Sequence, residues 1–372
     1  MIMNNKVLYF LHTVSIYLHS YRQLFYLFSH KNAFLTSKSY FEEIGERKST
    51  WVILWEQLLN ILRYGYLNDF YFLYGFDRKG FRNQKEYVDY ALFRRKREVL
   101  NHQVENNHIV VLRDKLLFGL SAECYCIPTP HNIGYLANGK FINLDSKLEK
   151  PFEGLLELPD GEYFVKSYNG ECADGVYKID INNGTLFVEG KEINHLDFQK
   201  KLGNKGYLVQ KKIDAQHPAI SRIYPNSINT IRLVTVYDGK CKKAKEFAAV
   251  LRVGANGHSV DNWAAGGLSI GVDIKTGRLS KYGFYKPGKG TKSDNHPNTG
   301  AFFDGIELPY WTESLELAMS FHEKLGDIHS IGWDIAITKD GPIFIEGNDN
   351  WELSLMQACN GGLKGEFEEF FY

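Results

Sequence analysis

The chain has 372 residues, enough for two or three domains and a large core, and its 44 lysines and arginines balance 44 aspartates and glutamates. With no net charge there is no global basic field to recruit nucleic acid or anionic lipid, so any anion must be bound locally. Five cysteines (Cys124, Cys126, Cys172, Cys241, Cys359) form no CxxC pair and no zinc spacing, which suits reduced thiols and a cytoplasmic location.

Residues 1 to about 105 read as a helical N-terminal region. Val7 to Tyr21 carries no formal charge, but it is too short for a membrane span and has no small-residue cleavage site. A helix packed on the body is expected there, with an aromatic helix resting on a membrane surface as the alternative. From Trp51 to Arg63, Val52, Leu54, Trp55, Leu58, Leu59 and Leu62 place apolar side chains nearly all round, which predicts a buried helix. Tyr87 to Val104 is more amphipathic. Its Arg94, Arg95, Lys96 and Arg97 are expected on a solvated face, with contact to phosphates or an acidic glycan as the other reading.

Composition then shifts to short strands, glycine turns and a few helices, an α+β pattern and not a βαβ series. Asp114 is placed to cap a helix that must stop before Ile127-Pro-Thr-Pro. Glu162 to Lys166 is a short strand delivering a lysine into a loop bracketed by Gly170 and Gly175. Such a loop lets backbone amides approach phosphate oxygens, although it is not a Walker A loop. Lys205 to Asp214 is a further strand, whose Leu208, Val209 and Ile213 are either ordinary core or the lining of a purine pocket. Ser227 to Gly254 reads as a long hairpin with Arg232 and Arg252 interrupting apolar strands. Each must find an anion, a neighbouring aspartate or a bound phosphate.

Val260 to Leu268 is a polar, glycine-rich bend before a strand from Ser269 to Ile274, and Leu279 to Asn298 reads as a mobile flap. A helix is expected from about Trp311 to Leu325, and Leu353 to Cys359 as a final cap. Between these lies the hairpin Ile331 to Asn348. A three-residue loop, Lys339-Asp340-Gly341, would pair Thr338 with Pro342 and set Asp334 opposite Glu346, with Phe344, Glu346 and Asn348 on one face. Opposed residues have Cβ atoms roughly 5 Å apart. Two carboxylates and an amide oxygen converging there suit a hard cation such as Mg²⁺, where a bare polar face would only suffer the repulsion.

Asp114-Lys115 before Ile-Pro-Thr-Pro, Val-Lys166 before a glycine loop, Leu-Val-Gln-Lys-Lys-Ile, Asn-Thr-Ile-Arg232 and Asp334…Glu346-Gly-Asn348 together resemble the ATP-grasp superfamily over about residues 106 to 358. Asn-Thr-Ile-Arg, Leu-Arg-Val-Gly, Val-Asp-Asn and Gly-Trp-Asp-Ile-Ala-Ile are similar to its sugar-transfer-associated branch. The resemblance implies an ATP-grasp fold, two α+β subdomains clamping ATP, spanning 106–206 with the phosphate loop and 207–372 with the metal site. It implies that Lys115 and Lys166 contact ATP phosphates, that the Gly170 to Gly175 loop closes over them, and that Gln210, Lys211 and Ile213 form the adenine hinge. Asp214 or His217 is left to hold the ribose, because Lys211 and Lys212 stand where an acid is expected. Asp334, Glu346 and Asn348 would ligate Mg²⁺, with Arg232 and Arg252 facing the transferred phosphoryl. The implied activity is ATP-dependent carboxylate–amine ligation through an acyl phosphate, on an acidic sugar or amino acid in surface-polysaccharide assembly. A kinase acting on a hydroxyl and a non-catalytic ATP-binding partner of a glycosyltransferase complex are the rivals. The expected location is cytoplasmic, with peripheral membrane association as the alternative.

Overall fold

The computed structural model describes residues 21–29, 37–102, 108–168, 170, 175–213, 215–257 and 260–371. In chain order its helices are α1 Thr50–Tyr64, α2 Tyr90–His102, α3 Ile109–Arg113, α4 Lys115–Cys124, α5 His195–Leu202, α6 Pro218–Ser221, α7 Trp311–Leu325, α8 Leu353–Asn360 and α9 Lys364–Phe371. Residues 21–29 are helical as well. The strands are β1 Asn132–Ala137, β2 Lys140–Asn143, β3 Glu149–Pro151, β4 Gly161–Ser167, β5 Val176–Asn182, β6 Thr185–Val188, β7 Lys191–Glu192 and β8 Tyr207–Lys211, followed by β9 Thr230–Asp238, β10 Lys243–Val253, β11 Leu268–Val272, β12 Leu279–Tyr285, β13 Lys292–Ser293, β14 Ser330–Thr338 and β15 Gly341–Asn348. They form two antiparallel sheets, of eight and of seven strands. The chain packs as two compact units, the first from residues 1–103, 248–306 and 352–372, the second from 104–247 and 307–351.

In the second unit the eight-stranded sheet runs β3-β2-β1-β8-β4-β5-β6-β7. Strand alternation divides it into two chemically different faces. Ile133, Tyr163, Val165, Tyr207 and Val209 point into a core closed by Phe152, Phe198 and Leu202. Val209 is thereby committed to the core and does not share a face with Leu208, so the two cannot jointly line a purine. On β9, β14 and β15 the apolar face is covered by α7, where Phe321 stacks on Trp333 at 5.2 Å and meets Phe344 edge-on at 6.4 Å.

In the first unit the part of β10 from Ala248 to Val253, β11, β12 and β13 form an antiparallel ladder, with Arg252 opposite Ser269 and Phe284 opposite Lys292. α8 packs on it, Cys359 Sγ donating to the Ser269 carbonyl and the Asn360 amide to that of Ala249. The expected flap from Leu279 is therefore β12 and β13, and beyond them His296 is buried, with Nε2 2.7 Å from the Gly254 carbonyl oxygen.

The helical expectation for residues 1–105 holds only in part. Residues 65–89 form turns, in which Tyr71, Phe72, Leu73, Tyr74 and Phe76 are buried in a cluster of edge-to-face and tilted rings. α1 is not buried all round: Ile53, Gln57 and Ile61 face inward while Trp51 and Trp55 are 81% and 58% exposed. Leu24 and Leu27 of the 21–29 helix meet Leu54 and Ile61, but these helices leave their other faces uncovered by the described residues. On α2 the basic run divides, Arg94 reaching Glu98 in solvent while Arg97 is buried with its guanidinium over the Phe93 ring. Val7 to Ser20 lie outside the described residues. No helix among the described residues is long and apolar enough to cross a membrane.

Candidate functional site

The second unit gathers charged groups on the faces its apolar cores leave free. Asp114 caps α4, its Oδ1 accepting from the backbone N–H of Leu116 at 2.9 Å and of Leu117 at 3.0 Å. That cap starts the helix at Lys115, whose ammonium donates to the Gly170 carbonyl at 2.6 Å. Lys115 and the opening glycine of the expected phosphate loop are thus in direct contact. Gly175, at the loop's far end, takes a left-handed φ of +67°, and a Cβ there would lie 2.9 Å from that of Ser167. Residues 169 and 171–174 of this loop lie outside the described residues.

Lys166 sits near the end of β4 with its side chain on the face opposite the core. It donates to Gln210 Oε1 on β8 at 2.8 Å, and Gln210 Nε2 donates on to Asn132 Oδ1 on β1 at 2.8 Å. The row fixes the amide of Gln210 and the lysine together across three strands. Asn132 was not singled out by sequence, because nothing around it distinguishes it from a turn asparagine. Burial pulls the Lys166 pKa down to about 8, against the pull of Glu346 and with the push of Lys115. Those influences place the two lysines and Glu346 within electrostatic reach of one another.

Lys211 ends β8, its backbone N–H bound to the His131 carbonyl, and Lys212 pairs with Glu162. Ile213 is half-buried just beyond the strand. Asp214 lies outside the described residues. His217 caps α6, Nδ1 accepting from the Ala219 N–H at 3.2 Å.

The acidic part of the site is one row across three strands. Arg232 on β9 is opposite Asp334 on β14, which is opposite Glu346 on β15. The register was anticipated but the route to it was not. The turn is Lys339-Asp340 alone, pairing Thr338 with Gly341, and a β-bulge between Asp334 and Ile335 absorbs Ile345 and restores the Asp334–Glu346 pairing. The bulge also separates Phe344 from Glu346. Phe344 joins the core, 5.7 Å from Trp333, and Glu346 faces the charged side. Asn348 Nδ2 lies 3.3 Å from Glu346 Oε1.

Arg232 grips Asp334 with both prongs, Nε to Oδ1 and Nη2 to Oδ2 at 2.9 Å, so the salt-bridge reading holds for this arginine. Each carboxylate oxygen keeps a second lone pair. Glu346 has no such partner. Burial first, then the Asp334 charge and a hydrogen bond with it, raise its pKa, while Lys115 and Arg232 pull the other way. A buried carboxylate beside another, only partly compensated, is the environment a divalent cation would relieve, and the donors are all oxygen, as Mg²⁺ prefers. Among the described residues no group of three His, Cys, Asp or Glu forms a metal cage, so these two carboxylates and Asn348 would share the ion with ligand oxygens.

Two further contacts hold this end of β15. Arg113 of α3 binds Asp349 bidentately at 3.1 and 2.6 Å, and Leu112 packs where a Cβ on Gly347 would come within 2.8 Å. The helix pair carrying Lys115 is thereby pinned beside Glu346. The signal available was Asp349 itself, an acid directly after Asn348. Arg252 falls in the first unit, where its Nη2 lies 3.3 Å from Asp261 Oδ1.

The model of the sugar-transfer associated ATP-grasp family matches residues 94–370. The chain belongs to that family, and its fold is the ATP-grasp fold, mixed helix and sheet with a helical N-terminal region. A search of curated proteins returns no match. Among solved structures it is similar to the D-alanine–D-alanine ligase of Bacillus anthracis, at 12% identity over 70% of this chain and 67% of that one with a TM-score of 0.38. It is also similar to a RimK domain ATP-grasp protein of Sphaerobacter thermophilus, at 13% identity over 71% and 69% with a TM-score of 0.38. A third is the N5-carboxyaminoimidazole ribonucleotide synthetase of Thermus thermophilus, at 13% over 64% and 45% with a TM-score of 0.36.

Proposed function

We propose that the chain binds ATP with Mg²⁺ in its second unit and uses it to activate a carboxylate for attack by an amine. The observation that carries this reading is the Arg232–Asp334–Glu346 row with Asn348 beside it, in electrostatic reach of Lys115 and Lys166. Family membership supports the ATP-grasp class of chemistry. Asp334, Glu346 and Asn348 would hold Mg²⁺, which when bound neutralises phosphate charge.

The protein's own groups position and shield charge, since phosphoryl transfer asks for little covalent help. Lys115 and Lys166 hold the triphosphate oxygens, and Arg232, whose Nε and Nη2 are on Asp334, offers its Nη1 N–H groups to the γ-phosphoryl as it moves. A substrate carboxylate oxygen attacks the γ-phosphorus, the bond to the β–γ bridging oxygen breaks, and ADP leaves with the electron pair. The amine nitrogen then attacks the acyl carbon, inorganic phosphate leaves, and the nitrogen loses a proton to give the amide. Lys166–Gln210–Asn132 forms one wall of the nucleotide pocket, with Gly170 and Gly175 closing it. The proposed acceptors are an acidic sugar and an amino acid.

The test is to incubate the protein with ATP, Mg²⁺ and paired panels of uronic acids and amino acids. ADP release that needs both carboxylate and amine, with an amide detected by mass spectrometry, is the expected result. A stable phosphoester on one hydroxyl acceptor, or no turnover despite ATP binding, would rule the ligase out.

A further inference from the structure

The first unit contains a cavity of its own. Residues from between 48 and 90, all upstream of the stretch shared with the family, together with Lys364, line an open cavity of about 430 Å³. That volume lies within the range of small-molecule sites.

Its charge is unbalanced toward the positive. Five cations line it, Lys48, Arg63, Arg82, Lys85 and Lys364, against two acids, Glu56 and Asp89. Both acids are already occupied. Glu56 takes Lys48 at 2.9 Å, the Gln84 amide at 2.7 Å and the Tyr71 hydroxyl. Asp89 caps α2 through the N–H groups of Ala91 and Leu92 and accepts from Asn60 at 3.1 Å. Three of the cations have no carboxylate partner among the described residues. Arg63 lies only over Tyr64, at 5.9 Å from the ring centre. Arg82 is stacked 4.7 Å from the Phe41 centroid and 5.1 Å from that of Phe81, donating to the Tyr74 carbonyl. Lys85 contributes only its backbone N–H, to Asn83.

The remaining wall matches a polyhydroxylated ring. Tyr64, Phe70 and Tyr90 are half-buried and line the cavity, so part of each ring stays open to a flat apolar face. Asn60, Asn68 and Gln84 add amides with spare hydrogen-bonding capacity: the Asn60 and Gln84 side-chain oxygens accept no bond, and the Asn68 side-chain nitrogen donates none, among the described residues. Cations seek an anion, amides seek hydroxyls, and aromatic faces suit the C–H face of a sugar.

We propose that this cavity is a binding site for an anionic saccharide, a sugar bearing a carboxylate or a phosphate. The inference concerns the first unit alone and stands apart from the ATP reading of the second. Arg63 and Lys85 are solvent-exposed, so their removal leaves the fold intact, and the aromatic cluster beneath them is untouched.

The full-length chain is titrated with glucuronate, glucose 6-phosphate, neutral glucose and inorganic phosphate, followed by calorimetry or ligand-observed NMR. Saturable binding of glucuronate or glucose 6-phosphate is expected, far weaker for glucose, and the tighter of the two identifies the anion. R63A/K85A is expected to weaken that binding about tenfold or more, with Lys85→Arg retaining it. Absence of saturable binding by both acidic sugars, equal binding in R63A/K85A, or inorganic phosphate binding as tightly as glucose 6-phosphate would each overturn the proposal. Binding of ATP to R63A/K85A should match the wild type, which separates failure of this site from failure of the nucleotide site.

Discussion

Glu346 sets the charge balance of the second unit, because it is buried beside Asp334 and Arg232 has already given both prongs to Asp334. Glu346→Gln removes the repulsion and keeps the shape. It should stabilise the ligand-free protein by about 1 kcal/mol while weakening Mg²⁺-dependent nucleotide binding at least tenfold. Asp334→Asn should behave oppositely toward stability, since it strands a nearly buried Arg232 at a cost of about 3 kcal/mol. Denaturant midpoints of the two variants give the comparison, and a loss of stability in Glu346→Gln would contradict a repulsion between the two carboxylates. Lys166 supplies a pH signature. Burial has lowered its pKa to about 8, so it is charged below that value and neutral above it. A triphosphate favours the charged form, so ATP affinity should fall as pH rises through about 8, and Lys166→Met should bind weakly without that inflection. A flat profile in the wild type would mean Lys166 does not touch phosphate.

At the scale of elements, the β14–β15 hairpin shows what a sequence does and does not disclose. Alternation of Ile331, Trp333, Ile335 and Ile337 revealed the strand, and counting back from a glycine turn revealed the Asp334–Glu346 pair. The tighter turn and the compensating bulge were hidden, because two errors of one residue cancel in the count and leave the pairing unchanged. Deleting Ile345 should therefore remove the bulge and leave Glu346 opposite Asp334 on a regular strand, so nucleotide binding should persist; loss of binding would show that the bulge itself shapes the site. α1 was misread for a different reason. Its apolar residues run all round, and composition cannot say which of them find a neighbour. Trp55→Ser should cost under about 0.5 kcal/mol, and Ile61→Ala about 2 to 5 kcal/mol.

α7 offers a further pH test. His322 is buried with Nε2 2.7 Å from the Ile328 carbonyl and Nδ1 2.7 Å from the Thr235 hydroxyl, which also accepts from Trp333 Nε1. That network assigns the proton to Nε2, and burial holds the pKa down to about 4. The unfolded chain takes up the proton first, near pH 6.5, so this contribution is present above that pH and is lost as pH falls from 6.5 toward 4, amounting to about 3 kcal/mol at most. NMR titration of the ring should find it neutral at pH 5; a midpoint near 6.5 would contradict the packing.

At the scale of the whole molecule, the second unit carries the charged row together with Lys115, Lys166 and Gln210, while the first carries Arg252 and the cationic cavity. The ATP-grasp fold was legible because its motifs are short, ordered and chemically demanding: a capped lysine, a strand-borne lysine, opposed carboxylates. The cavity of the first unit was not, since Arg63, Arg82 and Lys85 are spread over turns whose shape no periodicity encodes. The measurement that bears most directly on the second unit is calorimetric titration of the full-length chain with ATP, with and without Mg²⁺, repeated on Glu346→Gln. Saturable uptake that needs Mg²⁺ and is weakened at least tenfold in Glu346→Gln is expected. ATP binding that ignores both magnesium and Glu346, or no binding at all, would contradict it.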